Sequence, residues 1–573
     1  MKTTLIFVPT DHQGSTADWA FRDDGVGIIP PLSLLYVAGI LEREGVEVQI
    51  IDVIAERLTY AQALEKVRLF SPDLLGFTMN TYSFHAILTW MKSFKLDTGL
   101  PIMVGGSHVS LYPEETLSHE AIDFGIVGEA DLPLPEFIRA FKARASFHGI
   151  KSLCFKENGE TFVESTKQSI ENIDDAALPA RHLIRNELYY NILSKRKNFT
   201  AMMSTRGCPY RCTFCDQKTP PYRLRSAKSF VDEIKHVYHE YGVREFDIYD
   251  STFTADRARV IEICDLLAAE RLDIGWTVRS TLMAITHELL DALKRGGCHT
   301  IMYGVETSDP EILKQMKKRI PLKIVWDRIN YTHEIGIRAL GFFMFGYPGE
   351  TKESIQDTIQ LSLDLPLDYA QYTVLVPFPD TEIYTYYQEN SDLGDYWGEL
   401  TRNPEKQKDL ELLHAKVTRA EASEMLGRAY RQFYFRPRII WRRFREVRSG
   451  AEFMRLARAA MGILDNSIRG AVSRIRSKGT ASGVSIVVPS INDSAVHSGP
   501  ALIGEMAQPR ANYGLDRAPT QAGSITRLNS RPNNLISIAT VRSKEKDSWV
   551  SIDAQENKSV AAPAAPASIG GVR

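Results

Sequence analysis

Three of the six cysteines of the chain lie within eight residues, as Cys208, Cys212 and Cys215. Thiolates are the usual ligands of a cubane iron–sulfur cluster, which has four iron atoms, so three cysteines would leave one iron open to another ligand. A closed structural zinc site requires a fourth Cys or His at similar spacing, but His182 and His236 are both distant in the sequence. The triplet therefore predicts a [4Fe–4S] cluster with an open iron; a zinc knuckle and unrelated buried thiols are the alternatives.

The sequence around and after the triplet predicts six β/α units. Short apolar runs alternate with helical patterns, and the strand candidates are AMMST, EFDIY, IGWTV, TIMYGV, RALGFFMF and QYTVLV. Six such units make three quarters of a (β/α)8 barrel, in which sites lie at the carboxyl ends of the strands. We therefore predict a partial (β/α)6 TIM-type barrel over residues 196–395, with the cysteines on the loop after its first strand.

A second α/β rhythm precedes the barrel, in residues 1–140. Strand-like runs (TLIFVP, EVQIID, LLGFT, PIMVGG and DFGIVGE) alternate with helical patterns, which predicts a doubly wound parallel sheet. Ligands of such sheets bind beyond the carboxyl ends of the strands. Those ends read Thr78, Gly105-Gly106-Ser107-His108 and Gly128-Glu129.

The remaining segments predict a connector, a helical region and a tail. Residues 141–195 are polar and carry a hairpin signal at Asn158-Gly159, so we interpret them as a connector. Residues 396–477 have a helical pattern, and the segment 436–478 contains twelve Arg or Lys residues but only three acidic residues. This basic amphipathic segment predicts either a helical cap packed on the barrel or a helix lying on an anionic membrane surface. Residues 478–573 are rich in Ser, Ala, Pro, Asn and Gly, which predicts a disordered tail.

The charge of the chain argues against a nucleic-acid partner, and its hydropathy argues against a membrane-spanning helix. A formal net charge of −2 with 24% charged residues provides no global basic field, so no nucleic-acid partner is expected. No apolar run reaches the roughly 18–20 residues of a membrane-spanning helix. We expect a cytoplasmic protein, with peripheral contact at the inner membrane surface through 436–478 as the one membrane interaction.

The motif C-x₃-C-x₂-C, with the aromatic Phe214 before its last cysteine, resembles the signature of the radical S-adenosylmethionine (SAM) superfamily. The resemblance implies that Cys208, Cys212 and Cys215 are the catalytic cluster ligands and that the open iron chelates SAM. An electron from the cluster would then cleave SAM to methionine and a 5′-deoxyadenosyl radical. Such an enzyme would take that electron from an external donor of the flavodoxin or ferredoxin type.

The same resemblance assigns SAM contacts at the later strand ends. It places a polar or acidic group for the methionine amine at the second strand, and a glutamate for the SAM ribose or amine at the fourth. A glycine-containing loop on the adenine side follows the fifth strand, and an arginine at the third could pair with the SAM carboxylate. The SAM-binding residues expected are Phe214, Asp250, Ser251, Arg279, Glu306 and Gly346.

The amino-terminal segment resembles the cobalamin-binding domain of cobalamin-dependent radical SAM enzymes. The cobalamin-binding residues expected from this resemblance are Leu34, Thr78, Gly105, Gly106, Ser107, Gly128 and Glu129. The chain departs from the D-x-H-x-x-G motif, whose histidine ligates cobalt, because Asp11-His12-Gln13-Gly14 lacks the spacing. The lower axial ligand is therefore unassigned, and we expect His108 to be a loop or core residue.

Together the resemblances imply a cobalamin-dependent radical SAM enzyme that methylates an unactivated carbon of a small-molecule or lipid substrate. One SAM would provide the methyl group through cobalamin, and a second would provide the radical that removes a substrate hydrogen. A cobalamin-assisted cyclase or oxidative rearrangement without methyl transfer is the alternative reaction. A non-catalytic cobalamin-binding sensor or scaffold is the alternative from another class. A methylthiotransferase is set aside, because residues 1–150 contain no cysteine for a second cluster.

Overall fold

The computed structural model describes residues 1–9, 27–81, 83–196, 198–217, 221–403, 406, 408 and 410–446. The tail predicted over 478–573 lies outside the described residues. So does the basic segment beyond residue 446.

The described residues form two α/β domains in succession, in agreement with the predicted fold class. The strands are β1 (Lys2–Phe7), β2 (Gly27–Ile28), β3 (Glu47–Asp52), β4 (Leu74–Thr78), β5 (Ile102–Gly105), β6 (Phe124–Ile126), β7 (Leu153–Glu157), β8 (Glu160–Val163), β9 (Tyr190–Asn191), β10 (Phe199–Met202), β11 (Thr205–Arg206), β12 (Arg223–Leu224), β13 (Glu245–Ile248), β14 (Gly275–Ser280), β15 (Cys298–Glu306), β16 (Arg338–Phe345) and β17 (Tyr369–Val374).

The α-helices alternate with these strands. They are α1 (Leu32–Arg43), α2 (Tyr60–Phe70), α3 (Phe84–Thr98), α4 (Ser107–Leu111), α5 (Pro113–Leu117), α6 (Pro133–Ala143), α7 (Ala227–Tyr241), α8 (Arg257–Glu270), α9 (His287–Arg295), α10 (Pro310–Gln315), α11 (Leu322–Glu334), α12 (Lys352–Asp364), α13 (Glu382–Asn390), α14 (Tyr396–Arg402), α15 (Arg419–Tyr434) and α16 (Pro437–Glu446).

The first sheet has the strand order β3-β1-β4-β5-β6-β7-β8, and its first five strands are parallel. Successive side chains of a strand point to opposite faces. Accordingly, Leu5 of β1 packs in one apolar core with Leu35 of α1, whereas Ile6 packs in another with Phe77 and Met91. Helices thus cover both faces of the sheet, as a doubly wound fold requires.

The β7–β8 hairpin extends this sheet into the segment that the sequence predicted as a connector. Asn158 and Gly159 have φ values of 52° and 83°, as the hairpin signal predicts. Leu153 to Phe155 pair antiparallel with β6. The first domain therefore includes the hairpin, and the connecting segment begins after Val163.

The second sheet has the order β10-β13-β14-β15-β16-β17, and every pair is parallel. These are the six strands that the apolar runs predict. All nine residues of β15 are buried, because helices pack outside the sheet and side chains fill its inside. A buried glutamate, Glu233 of α7, accepts hydrogen bonds from Arg181 and Arg225 and fixes α7 against the preceding segment.

The segment after β17 contacts the first domain and so links the two domains. Asp395, just before α14, accepts hydrogen bonds from Tyr112 of the first domain at 3.0 Å and from Tyr384 of α13 at 3.2 Å. His119 Nε2 lies 2.8 Å from the carbonyl oxygen of Thr401. No helix in the described ranges has the length and apolar character needed to cross a membrane.

Candidate functional site

The cysteine loop begins and ends in a short antiparallel ribbon at the carboxyl end of the first barrel strand. In this ribbon Thr205 pairs with Leu224 and Arg206 with Arg223. The loop between β11 and β12 therefore carries all three cysteines, as the sequence predicts for the position after the first barrel strand.

The middle of the cysteine loop is anchored through Thr213. Its N–H donates to the carbonyl of Met316 at 3.2 Å, and its own carbonyl accepts from the N–H of Ile383 at 3.0 Å. Its hydroxyl lies 2.8 Å from that of Tyr347, which follows β16. Residues that follow three different barrel strands thus fix the loop.

The three thiols are free and partly exposed. Cys208 Sγ lies 3.6 Å from the hydroxyl oxygen of Thr252, which follows β13. Burial raises the pKa of the Cys212 thiol and raises that of Cys215 to about 12, and each is also raised by charge on its neighbouring cysteines.

The three thiols are the donor type that a cubane iron–sulfur cluster uses. Across the ranges that the structure describes, no three His, Cys, Asp or Glu side chains converge closely enough to hold one metal ion. A cubane offers a separate iron corner to each thiolate, so its ligands do not have to meet at one point.

Asp250 is fully buried at the end of β13. Its Oδ1 accepts hydrogen bonds from the N–H groups of Ser204 at 2.7 Å and Thr205 at 3.0 Å, and its Oδ2 accepts from the Ser204 hydroxyl. These are the contacts of a residue that holds the start of the cysteine loop. Ser251, in contrast, is partly exposed, with its hydroxyl 3.5 Å from Gln217 Oε1.

Arg279 ends β14 as predicted, and it already has an anionic partner. Its Nη1 donates to Asp247 Oδ1 at 2.8 Å and to the Ile248 carbonyl at 3.0 Å. The guanidinium carbon lies 4.2 Å from the ring centroid of Tyr249. Arg279 therefore forms a structural ion pair with Asp247, and a quarter of its side chain is still exposed.

Glu306, at the end of β15, has the local strain that often marks a functional position. Its φ of 69° lies in the left-handed region, which is uncommon for residues other than glycine. Lys318 Nζ donates to Glu306 Oε1, and the two side chains are only 10% and 11% exposed. The same Nζ lies 5.9 Å from the ring centroid of Phe214 in the cysteine loop. Lys318 thus links the predicted SAM-binding carboxylate to the loop.

Gly346, after β16, has a φ of 91°, and its open side is filled by the protein itself. A Cβ there would lie 2.5 Å from Leu412 Cδ1. The N–H of Gly346 donates to Glu350, whose carboxyl group is buried. Burial raises the pKa of Glu350 to about 8. The positive φ therefore favours glycine at this position, whatever its predicted contact with SAM, and a side chain there would also displace Leu412.

The predicted cobalamin-binding residues gather at one edge of the first sheet, with an exception. Thr78 and Gly105 are partly exposed, Ser107 and Gly128 are exposed, and a Cβ at Gly105 would meet no atom within 4 Å. This open backbone suits the close approach of a large cofactor. The exception is Leu34, which is 2% exposed and packs in the core of the domain.

Gly106 and Glu129, also predicted to bind cobalamin, make defined contacts with protein. Gly106 has a φ of 108°, and a Cβ there would lie 2.3 Å from the carbonyl oxygen of Met79. Glu129 accepts hydrogen bonds from Arg206 and Arg223 of the barrel domain. Its carboxylate therefore faces the cysteine loop.

His108 is a core residue, as expected. It is 1% exposed, its Nδ1 lies 3.3 Å from the Thr81 hydroxyl, and its Nε2 lies 3.3 Å from that of Thr401. Burial lowers its pKa to about 3, and charge on His85 and His119 adds to the effect.

Sequence reasoning missed Lys318, Tyr347 and Thr252, which hold the site together. Lys318 lies in the run Lys317-Lys318-Arg319, and such a run ordinarily predicts a solvated surface. Tyr347 and Thr252 are neighbours of predicted site residues, but their partners are distant in sequence.

Comparison with known proteins identifies the family. The family model of the radical SAM superfamily matches residues 202–362, and the model of the B12 binding domain matches residues 22–138. A Pyrococcus horikoshii protein named "Uncharacterized methyltransferase PH0819" is 33% identical over 420 residues, which cover 72% of this chain and 89% of that protein. The chain belongs to the cobalamin-dependent radical SAM enzymes.

Two further similarities extend over most of the described chain. The anaerobic magnesium-protoporphyrin IX monomethyl ester cyclase of Cereibacter sphaeroides is 25% identical over 455 residues, covering 76% of this chain and 72% of that protein. The solved structure of the radical SAM methyltransferase TsrM from Kitasatospora setae, with cobalamin and a [4Fe–4S] cluster bound, matches with a TM-score of 0.55. It is 20% identical and covers 68% of this chain and 78% of that one, which shows a shared fold.

Membership of the cobalamin-dependent radical SAM enzymes confirms the predicted class of enzyme and its cofactors: a [4Fe–4S] cluster, SAM and cobalamin. Enzymes of the superfamily need a reductant and a small-molecule substrate, so that part of the partner prediction is also confirmed. The individual contacts of SAM and cobalamin stay predictions, as do the type of electron donor and membrane contact.

Proposed function

We propose that the protein transfers a methyl group from SAM to an unactivated carbon of a small-molecule or lipid substrate. The observation that carries the proposal is the 33% identity, over 72% of this chain, with the P. horikoshii protein that is named as an uncharacterized methyltransferase. A complete cysteine triplet supports catalysis over a sensor or scaffold role, because loss of a cluster ligand would have favoured the latter.

The chain's own residues have distinct roles in this reaction. When bound, the reduced cluster supplies the electron that cleaves SAM, and cobalamin carries the methyl group to be transferred. Cys208, Cys212 and Cys215 hold the cluster, and the anchored backbone of Thr213 fixes their loop. The protein's contribution to such chemistry is orientation and the exclusion of competing reactions.

Glu306 is the residue that we assign to the SAM amine or ribose. Its carboxylate accepts a hydrogen bond from Lys318, which orients it beside the cysteine loop. We assign Ser251, Arg279, Phe214 and the Gly346 backbone to the surrounding SAM contacts. Asp250 acts through Ser204 and Thr205, as a positioning residue for the loop.

The test is to supply the reconstituted enzyme with methyl-deuterated SAM, a reductant and an extract of small molecules and lipids. We expect an extract component to gain a deuterated methyl group while 5′-deoxyadenosine accumulates. Consumption of a component with 5′-deoxyadenosine release but without label would refute methyl transfer. A triple Cys→Ala variant of the cluster ligands is the control, since it should do neither.

A cobalamin-assisted cyclase is the second candidate function. The similarity to the C. sphaeroides cyclase over 76% of the chain favours it. The unlabelled outcome of the same experiment supports this candidate, provided that the consumed component is recovered as a product that has lost hydrogen.

We further propose that α16 contacts an anionic membrane surface. Its Ile440 and Trp441 are 50% and 64% exposed, and the neighbouring Arg438 is exposed as well. Exposed apolar and basic side chains on one short helix suit an anionic interface. Co-sedimentation with phosphatidylglycerol vesicles should fall when both apolar residues are replaced by Ser and should be absent with phosphatidylcholine. Equal co-sedimentation of the wild-type protein and the variant with phosphatidylglycerol vesicles would refute this contact.

The electron donor is proposed to be a flavodoxin or ferredoxin. The test is SAM cleavage driven by a reduced flavodoxin or a reduced ferredoxin in place of dithionite. Cleavage with neither protein, while dithionite still works, would refute the proposal.

A further inference from the structure

Two acidic residues of the cobalamin domain meet two arginines of the cysteine-loop ribbon. Glu129 and Asp131 follow β6, and Arg206 and Arg223 are cross-strand partners on β11 and β12. Arg206 Nη1 donates to Glu129 Oε2 at 2.8 Å and to Asp131 Oδ2 at 2.7 Å, and its Nη2 donates to Asp131 Oδ1 at 3.3 Å. Arg223 donates to both oxygens of Glu129. We call these four side chains the interdomain clasp.

The clasp differs from an ordinary surface ion pair in its burial. Its four side chains are between 9% and 14% exposed. Exposed pairs contribute little, whereas removing one partner of a buried pair leaves an uncompensated charge.

The clasp lies between the two places where the cofactors are predicted to bind. On one side, Arg206 is two residues before Cys208, and the ribbon encloses the whole cysteine loop. On the other side, the acidic turn follows Gly128, whose N–H is hydrogen-bonded to Ser110 Oγ at 2.8 Å. That turn lies at the carboxyl edge of the parallel sheet, where doubly wound domains bind ligands.

We propose that the interdomain clasp positions the cysteine loop relative to the cobalamin domain and so fixes the separation of the two cofactors. The inference rests on the proposed function for the presence of both cofactors. It assigns Glu129 to positioning, because both of its carboxylate oxygens are used by the arginines. A defined separation matters for methyl transfer, since the substrate must be reached both by the radical and by the methyl carrier.

The test compares the holoenzyme with a Glu129→Gln/Asp131→Asn variant. Cob(II)alamin and the reduced cluster each carry an unpaired electron, so their magnetic dipolar interaction reports their separation in pulsed EPR. The wild-type enzyme should give one defined interaction. The variant, loaded with iron and cobalamin to the same content, should give a weakened or broadly distributed one. An interaction identical to the wild type would overturn the proposal.

Glu44→Gln is the matched control. Glu44 pairs with Arg139 inside the cobalamin domain, so this variant should retain the wild-type interaction. If the double variant does not fold, Arg223→Gln should still broaden the distribution, because it removes the contacts of the ribbon's second strand with Glu129, together with the hydrogen bonds of Arg223 to the carbonyls of Ile170 and Pro221. An unbroadened distribution in that variant would equally overturn the proposal.

Hydrogen exchange provides a second readout that needs no cofactor. Amides of the ribbon, residues 205–206 and 223–224, should exchange faster in the clasp variants than in the wild type, and unchanged exchange would count against the clasp. A wild-type protein that binds no cobalamin would refute the proposed function, while the exchange experiment would still decide the clasp. Neither readout requires the substrate.

Discussion

Replacing Lys318 by Met tests whether the Glu306 carboxylate is held in place for SAM. Met keeps most of the apolar stem of Lys but has no positive charge, so the buried Glu306 loses its hydrogen-bond donor. A hydrogen bond to a charged group contributes about 1.5–3 kcal/mol. If that free energy holds Glu306 where SAM needs it, its loss weakens SAM binding about 10- to 150-fold.

The assay is anaerobic calorimetric titration of SAM into cluster-loaded protein, with the KM for SAM in 5′-deoxyadenosine formation as a second measure. Breaking the buried pair should also lower the free energy of unfolding, by about 3–5 kcal/mol. Lys317→Met is the control, because Lys317 pairs with Glu382 while both side chains are about half exposed, at 52% and 44%. It should change either quantity by less than about 1 kcal/mol. A Lys318→Met enzyme with full iron content and wild-type SAM affinity would refute the role of the pair.

Three further predictions concern stability. Glu233→Gln leaves two buried arginines without their carboxylate and should lower the free energy of unfolding by about 3–5 kcal/mol in denaturant titration. The control is Lys235→Gln on the same helix: Lys235 pairs with Glu270 nearer the surface, so its loss should lower the free energy of unfolding by less than about 1 kcal/mol. Burial raises the pKa of Glu350 from 4.5 to about 8, so between these pH values the folded state keeps a proton that the unfolded state loses, and the free energy of unfolding should fall as pH rises. Glu350→Gln should make the free energy of unfolding less dependent on pH in this range, and an unchanged pH dependence would contradict the assignment. Gly106→Ala should lower the free energy of unfolding by about 1–3 kcal/mol, because Gly106 has a positive φ and a Cβ there would clash with the backbone of Met79. Gly105→Ala should leave the free energy of unfolding unchanged in denaturant titration and should weaken only cobalamin binding, measured by absorbance titration.

The sequence predicted the architecture well because its signals are local. Six buried runs separated by helical patterns are sufficient for a parallel sheet, and the spacing of Cys208, Cys212 and Cys215 places a cluster on the first loop. The hairpin at Asn158-Gly159 was also recognised from its turn residues. Its membership of the first sheet was not, because pairing of β7 with β6 depends on a contact that no local pattern encodes.

The electrostatic partners within the site could not be predicted for the same reason. Asp250 and Arg279 lie at the strand ends where the sequence places them, but Ser204 and Asp247 occupy their hydrogen-bonding groups. Glu129 turns toward Arg206, which is 77 residues away along the chain. Which charge meets which is decided when the two domains pack, so sequence spacing identifies candidates and the fold selects their roles.

Cleavage of SAM by the anaerobically reconstituted protein tests directly whether the chain is an active radical SAM enzyme. We expect a [4Fe–4S] cluster held by Cys208, Cys212 and Cys215, tightly bound cobalamin, and release of 5′-deoxyadenosine and methionine on reduction. Replacing any one of these cysteines by Ala should abolish the release. A wild-type protein that carries its full cluster and yet leaves SAM intact under reduction would contradict the account.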